Sequence, residues 1–70
     1  MESRNERFKR IATRRTNNIL NQIRLLGNLS NKSTYEYSQE EVNKIFSTIE
    51  AQLRITKAKY HSHGRKVFKL

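Results

Sequence analysis

Apolar residues in the first part of the chain recur at helical spacing. They would share one face of a helix and comprise Phe8, Ala12, Ile19, Ile23 and Leu26. Ser3 followed by Glu6 has the capping-box arrangement with which many helices begin. Gly27 suits the left-handed conformation in which many helices end. The pattern therefore predicts a helix over residues 4–26 that stops at Gly27.

A second apolar series alternates spacings of four and three, as in a heptad repeat. Its members are Val42, Phe46, Ile49, Leu53, Thr56 and Tyr60. Ser38 and Glu41 repeat the capping-box arrangement, and Tyr37 is placed to pack on Val42 as a hydrophobic staple. We therefore expect a second helix over residues 39–60.

Two helices of similar length are joined by a connector, residues 27–37. This order predicts an all-α fold in which residues 1–60 form an antiparallel two-helix hairpin. A hairpin buries only one stripe of each helix, and a chain of 70 residues seldom forms a sufficient core alone. We therefore expect two copies to form a homodimer, a four-helix bundle. Residues 61–70 form a basic tail. The alternative to the dimer is a monomer in which residues 67–70 of this tail fold back over the groove of the hairpin.

Composition narrows the protein class. Cysteine is absent, which excludes disulfides and thiolate metal sites and fits a reducing compartment. No apolar run approaches the ~20 residues of a membrane span, and no signal-peptide core follows Met1. We therefore expect a cytoplasmic protein. A membrane partner is not expected, because the first helix has no Trp anchors and its apolar stripe is better used in the hairpin.

The excess of nine positive charges lies at the two ends of the chain. Residues 1–15 have a balance of +4 and residues 57–70 a balance of +5, whereas the charges between them cancel. A surface that serves solubility alone usually mixes both signs. Basic ends on a neutral centre therefore indicate a polyanionic partner.

The face of the first helix opposite its apolar stripe carries cationic and amide side chains. They are Arg7, Arg10, Arg14, Asn17 and Asn21, with Arg4 at the margin. Guanidinium forks match phosphate oxygens, and Asn is a side chain that can recognise adenine in the major groove. The alternative is an ordinary solvated face.

Cations and aromatic residues alternate at the C-terminal end. The cations assigned to the candidate site there are Lys57, Arg65, Lys66 and Lys69. Such a segment suits an arm that grips a nucleic-acid backbone and stacks a ring on a base. Alternatively, Val67, Phe68 and Leu70 form a packing patch for the core.

Candidate catalytic groups are few. Aspartate and cysteine are absent, and Glu40 and Glu41 occupy a first helical turn, where carboxylates interact with the helix dipole. His61 and His63 form a His-x-His pair that an extended strand would direct toward one metal ion, but no further ligand is near. We therefore expect no enzyme, metal site, cofactor or small-molecule substrate.

The connector and the start of the second helix resemble a pattern in small bacterial proteins, some of them encoded on mobile elements. The resemblance lies in RLLGNLSNKSTYEYS, residues 24–38, followed by Glu41, Val42, Lys44, Ile45 and Phe46. It covers about the middle half of the chain and implies bacterial origin and a shared fold, but no activity. The connector's Asn and Ser residues would form a polar network that caps both helix ends, or a contact surface for a partner.

Charge and pattern together predict a small, helical, homodimeric nucleic-acid-binding protein, with DNA favoured over RNA. The alternative is a protein-interaction module, an adaptor or small inhibitor that docks on an acidic partner. The two hypotheses differ in what they require. The first depends on Arg7 and Arg14, whereas the second depends on Asn28, Asn31 and Tyr35 in the connector.

Overall fold

The computed structural model describes residues 1–61 and divides the chain into two units. The first, Met1–Glu36, contains helix α1 (Arg4–Gly27) followed by a short 3-10 helix (Asn28–Ser30). The second begins at Tyr37 and contains helix α2 (Gln39–His61). The predicted all-α class is confirmed, since residues 1–61 form two α-helices and no strand.

Helix α1 begins with a complete capping box. The Ser3 hydroxyl accepts a hydrogen bond from the Glu6 backbone N–H at 3.0 Å, and the Ser3 N–H donates to the Glu6 carboxylate at 2.8 Å. Two of the N–H groups that have no partner at a helix start are thereby satisfied. These bonds fix the first turn and hence the register of every side chain that follows in α1.

Helix α2 begins in the same way. Ser38 accepts from the Glu41 N–H at 3.1 Å and donates its own N–H to the Glu41 carboxylate at 2.8 Å. Tyr37 and Val42 are both half-buried in a unit that is otherwise largely exposed. That shielding fits the hydrophobic staple predicted for this pair.

The predicted end of α1 at a left-handed Gly27 is wrong. Gly27 has φ −62° and ψ −27°, in the right-handed helical region, and no residue among 1–61 has a positive φ. The helix instead tightens into the 3-10 turn, and the Asn28 N–H faces the carbonyls of residues 24–26. Such a turn satisfies terminal carbonyls without a left-handed residue.

The apolar side chains of both helices are largely exposed. None of residues 1–61 is buried. In α1, Phe8 is 53% exposed and Ile23 46%, and in α2, Phe46 is 44% exposed and Leu53 63%. The antiparallel hairpin and the dimer, which would cover these stripes, stay predictions.

Helices α1 and α2, as far as the structure describes them, are too polar or too short in apolar length to cross a lipid bilayer.

Candidate nucleic-acid interface

The candidate interface is the cationic face of α1. The helix runs without interruption through 24 residues, so side chains three and four positions apart lie on one side of it. Arg7, Arg10 and Arg14 follow that spacing and are all exposed. At 1.5 Å per residue the row extends over about 10 Å.

The three arginines of this row differ in their partners. Arg10 forms a two-pronged ion pair with Glu2, in which Nε lies 2.8 Å from Oε2 and Nη2 lies 3.0 Å from Oε1. The guanidinium groups of Arg7 and Arg14 contact no acceptor among the described residues. Two members of the row are therefore open to a ligand, whereas the middle one already holds a carboxylate.

The Glu2–Arg10 pair affects the ionisation of both groups. The hydrogen bond from Arg10 holds the pKa of the Glu2 carboxyl below its ordinary value. The same bond raises the pKa of the Arg10 guanidinium. A hydrogen bond to a charged form stabilises that form, so both partners stay ionised at neutral pH.

Sequence reasoning missed this ion pair. Rules for side-chain pairs apply to residues three or four apart within a helix, but Glu2 precedes the helix and lies eight positions before Arg10. The available signal was an acidic residue just outside the N-cap Ser3, within reach of the second helical turn. The predicted row of equivalent arginines is therefore uneven.

The two asparagines of the row also differ. The Asn21 side-chain oxygen accepts a hydrogen bond from Nη2 of Arg24, one turn further along α1. Asn17 is exposed and makes no such bond among residues 1–61. Since adenine recognition uses both the oxygen and the nitrogen of the amide, Asn17 is the more available of the two.

The remaining predicted contacts lie toward the C-terminal end. Lys57 is exposed in the last third of α2. Arg65, Lys66 and Lys69 fall outside the described residues, as do His63 and the predicted packing patch. Within the described part of the chain, no three His or Glu side chains converge as metal ligands would.

The connector contains a tight turn centred on Asn31. Its side-chain oxygen accepts from the Ser33 N–H at 3.0 Å and from the Ser33 hydroxyl at 2.6 Å. Its backbone carbonyl accepts from the N–H groups of Thr34 and Tyr35 at 3.1 and 2.9 Å. The Asn31 side chain thus closes its own turn and does not cap the ends of the helices, as one interpretation of the connector expected.

Comparison of the chain with protein-family models, with curated proteins and with solved structures finds no match. The resemblance of the connector to small bacterial proteins stays a prediction. No residue takes a role from a relative, so the functional interpretation depends on the geometry and charge of the residues themselves.

Proposed function

We propose that the protein binds nucleic acid, with the arginines of α1 and the cations of the C-terminal tail contacting the phosphate backbone. The observation that supports this most is the pair of open guanidinium groups, Arg7 and Arg14, on one continuous helix face. Guanidinium groups without protein acceptors are held in water at little cost and gain charge-assisted hydrogen bonds when phosphate arrives.

The length of the arginine row fits a nucleic-acid backbone. From Arg7 to Arg14 the helix rises about 10 Å. Each DNA strand carries one phosphate per 3.4 Å of helix axis, so the row faces about three phosphates of one strand. Arg4, exposed and also without an acceptor among residues 1–61, adds a fourth cation at the margin.

Double-stranded DNA is favoured over RNA as the ligand. The major groove of B-form DNA admits an α-helix, whereas that of A-form RNA is too narrow for side chains to be used there. Helix α1 carries its open amide, Asn17, on the arginine face, one turn beyond Arg14. Phosphate contacts would position the helix and Asn17 would meet a base edge.

We further propose the antiparallel hairpin and its dimer, a four-helix bundle in the bacterial cytoplasm. What supports the assembly is the exposure of the apolar stripes in the described residues. Burial of apolar surface stabilises association by about 25 cal/mol per Å². A two-fold dimer would also present two copies of the arginine row to one duplex.

A salt titration tests the proposed function. The full chain is titrated with a random-sequence DNA duplex and with the matching RNA duplex at 50 and 200 mM salt, followed by fluorescence anisotropy. The three phosphates that face the arginine row alone give a log–log slope of about −2.7, a loss of roughly 40-fold over this range, and contacts made by the tail make the slope steeper. Absence of binding at 50 mM salt would rule out the proposal, and tighter binding to RNA would reverse the preference for DNA.

The alternative function, an interaction module for an acidic protein, is favoured by one observation in the connector. The Asn31 carbonyl accepts a hydrogen bond from the Tyr35 N–H, and Tyr35 is 45% exposed, as expected of a contact residue on a surface loop. In that case replacing Asn31 and Tyr35 by Ala removes binding to the partner, whereas replacing Arg7 and Arg14 matters less. Fluorescent poly-glutamate, titrated with each of the two double variants and followed by anisotropy, separates the two functions.

A further inference from the structure

Glu2 occupies the phosphate-binding fork of Arg10. Its two carboxylate oxygens accept from Nε and Nη2 of Arg10 at 2.8 and 3.0 Å, the parallel arrangement in which guanidinium also binds two oxygens of a phosphate. A carboxylate in this position is a chemical substitute for the ligand proposed above. Arg10 cannot offer the same two N–H groups to both anions at once.

The pair is accessible and readily displaced. The side chain of Arg10 is 54% exposed and that of Glu2 37% exposed. Exposed ion pairs are weak because water screens the charges and both side chains lose freedom. An incoming phosphate can therefore replace the carboxylate, but part of its binding free energy is lost in breaking the pair.

The other glutamate of this region has a different role. Glu6 accepts from the Ser3 N–H in the capping box, which holds its carboxylate at the helix start. Its charge lies within four residues of Glu2 along the chain, yet it contacts none of the arginines in the row. Of the two acids, only Glu2 competes directly with a ligand.

We propose that Glu2 is an intramolecular competitor that lowers the affinity of the arginine row for nucleic-acid phosphate by occupying Arg10. This inference rests on the proposed function and deepens it. In the free protein, Arg7 and Arg14 make the first contacts, and Arg10 joins only after it exchanges Glu2 for phosphate. The competitor keeps binding weak and reversible on random sequence, where phosphate contacts supply nearly all of the affinity.

Two charge-matched variants test the competitor. Glu2→Gln and Glu6→Gln each remove one negative charge. Gln at position 6 preserves the capping box, because Gln can replace Glu in that motif. We expect Glu2→Gln to tighten binding of the random DNA duplex about two- to fivefold, the range given by an exposed ion pair. Glu6→Gln should change it less than twofold. The chain is used without added residues before Met1, and circular dichroism shows whether α1 is retained.

A double-mutant cycle with Arg10→Ala provides the second readout. In the wild-type background the substitution should weaken binding by less than twofold, because Arg10 is already occupied by Glu2 and contributes little to phosphate binding. In the Glu2→Gln background it should cost as much as Arg7→Ala does. This non-additivity is the signature of direct competition, which a general charge effect does not produce.

Several results would overturn the inference. Equal effects of Glu2→Gln and Glu6→Gln would indicate a general charge effect, and weaker binding by Glu2→Gln would show that Glu2 orients Arg10 for the ligand. An equal cost of Arg10→Ala in both backgrounds would exclude competition. If the wild type binds DNA with the expected salt slope in any of these cases, the inference fails while the proposed function stands. If neither the wild type nor Glu2→Gln binds at low salt, both fail.

Discussion

Helices α1 and α2 share a starting signal and differ in what they display. They have 24 and 23 residues and begin with the same Ser–Glu capping box. Helix α1 carries seven cationic residues and one glutamate, whereas α2 carries four and three and a heptad-like apolar series. The two segments therefore begin in the same way, whereas the proposed function gives them different surfaces: α1 for an anionic ligand and α2 for association.

The largest expected effect is the loss of the dimer that α2 is proposed to stabilise. Leu53 lies on the apolar series and is 63% exposed, whereas Ile55 lies on the other side of α2 and is 56% exposed. In the proposed four-helix bundle the apolar stripes of all four helices meet in one core, so Leu53→Ala loses about 1.5–3 kcal/mol in each copy, which raises the dimer Kd at least about a hundredfold. Sedimentation velocity over a dilution series measures the Kd.

Ile55→Ala is the matched control for this change and should leave the dimer Kd within a few-fold of the wild type. Equal weakening by the two substitutions would show that the heptad face is not the interface. A wild type that sediments as a monomer at every concentration would contradict the proposed dimer itself.

The next effect concerns the ligand surface assigned to α1. Replacing Arg7 and Arg14 by Ala should weaken duplex DNA binding roughly 50-fold at 0.1 M salt, since each contact contributes about 0.9 to the salt slope. The slope should fall by about 2. Replacing Lys44 and Arg54 of α2 by Ala removes the same charge from the neutral part of the chain. Equal losses in the two double variants would show that net charge, rather than the face of α1, determines binding.

A smaller effect tests the shared starting signal. Ser38→Ala removes the hydroxyl that accepts from the Glu41 N–H and should destabilise α2 by about 1 kcal/mol. Ser47→Ala removes a hydroxyl that bonds only back to the Lys44 carbonyl at 3.3 Å, a contact of little helical value. Thermal unfolding followed by circular dichroism should show a lower midpoint for the first variant alone. A similar midpoint for both would mean that the capping box contributes nothing in solution.

The smallest effect distinguishes the observed end of α1 from the one that the sequence predicted. Gly27 has helical angles, and a Cβ placed on it meets no atom within 4 Å. Gly27→Ala should therefore stabilise the chain by about 0.5–1 kcal/mol through the lower entropy of the unfolded state. In the left-handed conformation the same substitution would be destabilising, so a lower unfolding midpoint in the same assay would contradict the structure.

The predictable parts of the fold were those determined by neighbouring residues. Both capping boxes and the start of each helix followed from Ser3, Glu6, Ser38 and Glu41, because cap hydrogen bonds join residues three apart. The conformation at the end of α1 did not follow, since Gly27 is compatible with either a left-handed cap or a continuing helical turn. In the structure the chain continues from Gly27 into the 3-10 turn Asn28–Ser30.

The position of the candidate site was predictable from the sequence, but the occupancy of its arginines was not. The periodicity placed Arg7, Arg10 and Arg14 on one face, because a continuous helix fixes their spacing. It could not show that Arg10 is occupied, since Glu2 lies in a non-helical segment with no fixed geometry relative to α1. Electrostatic partners outside regular elements depend on backbone angles, and those angles become known only from the structure.

The open space around Gly27 makes this position suitable for a label. The chain contains no cysteine, so Gly27→Cys would introduce a unique thiol at a site where an added Cβ meets no atom within 4 Å. A nitroxide or a dye coupled there would sit at the far end of α1, away from the arginine row. With a second label on a thiol introduced by Ser47→Cys, the distance between the two labels could be measured as DNA is added.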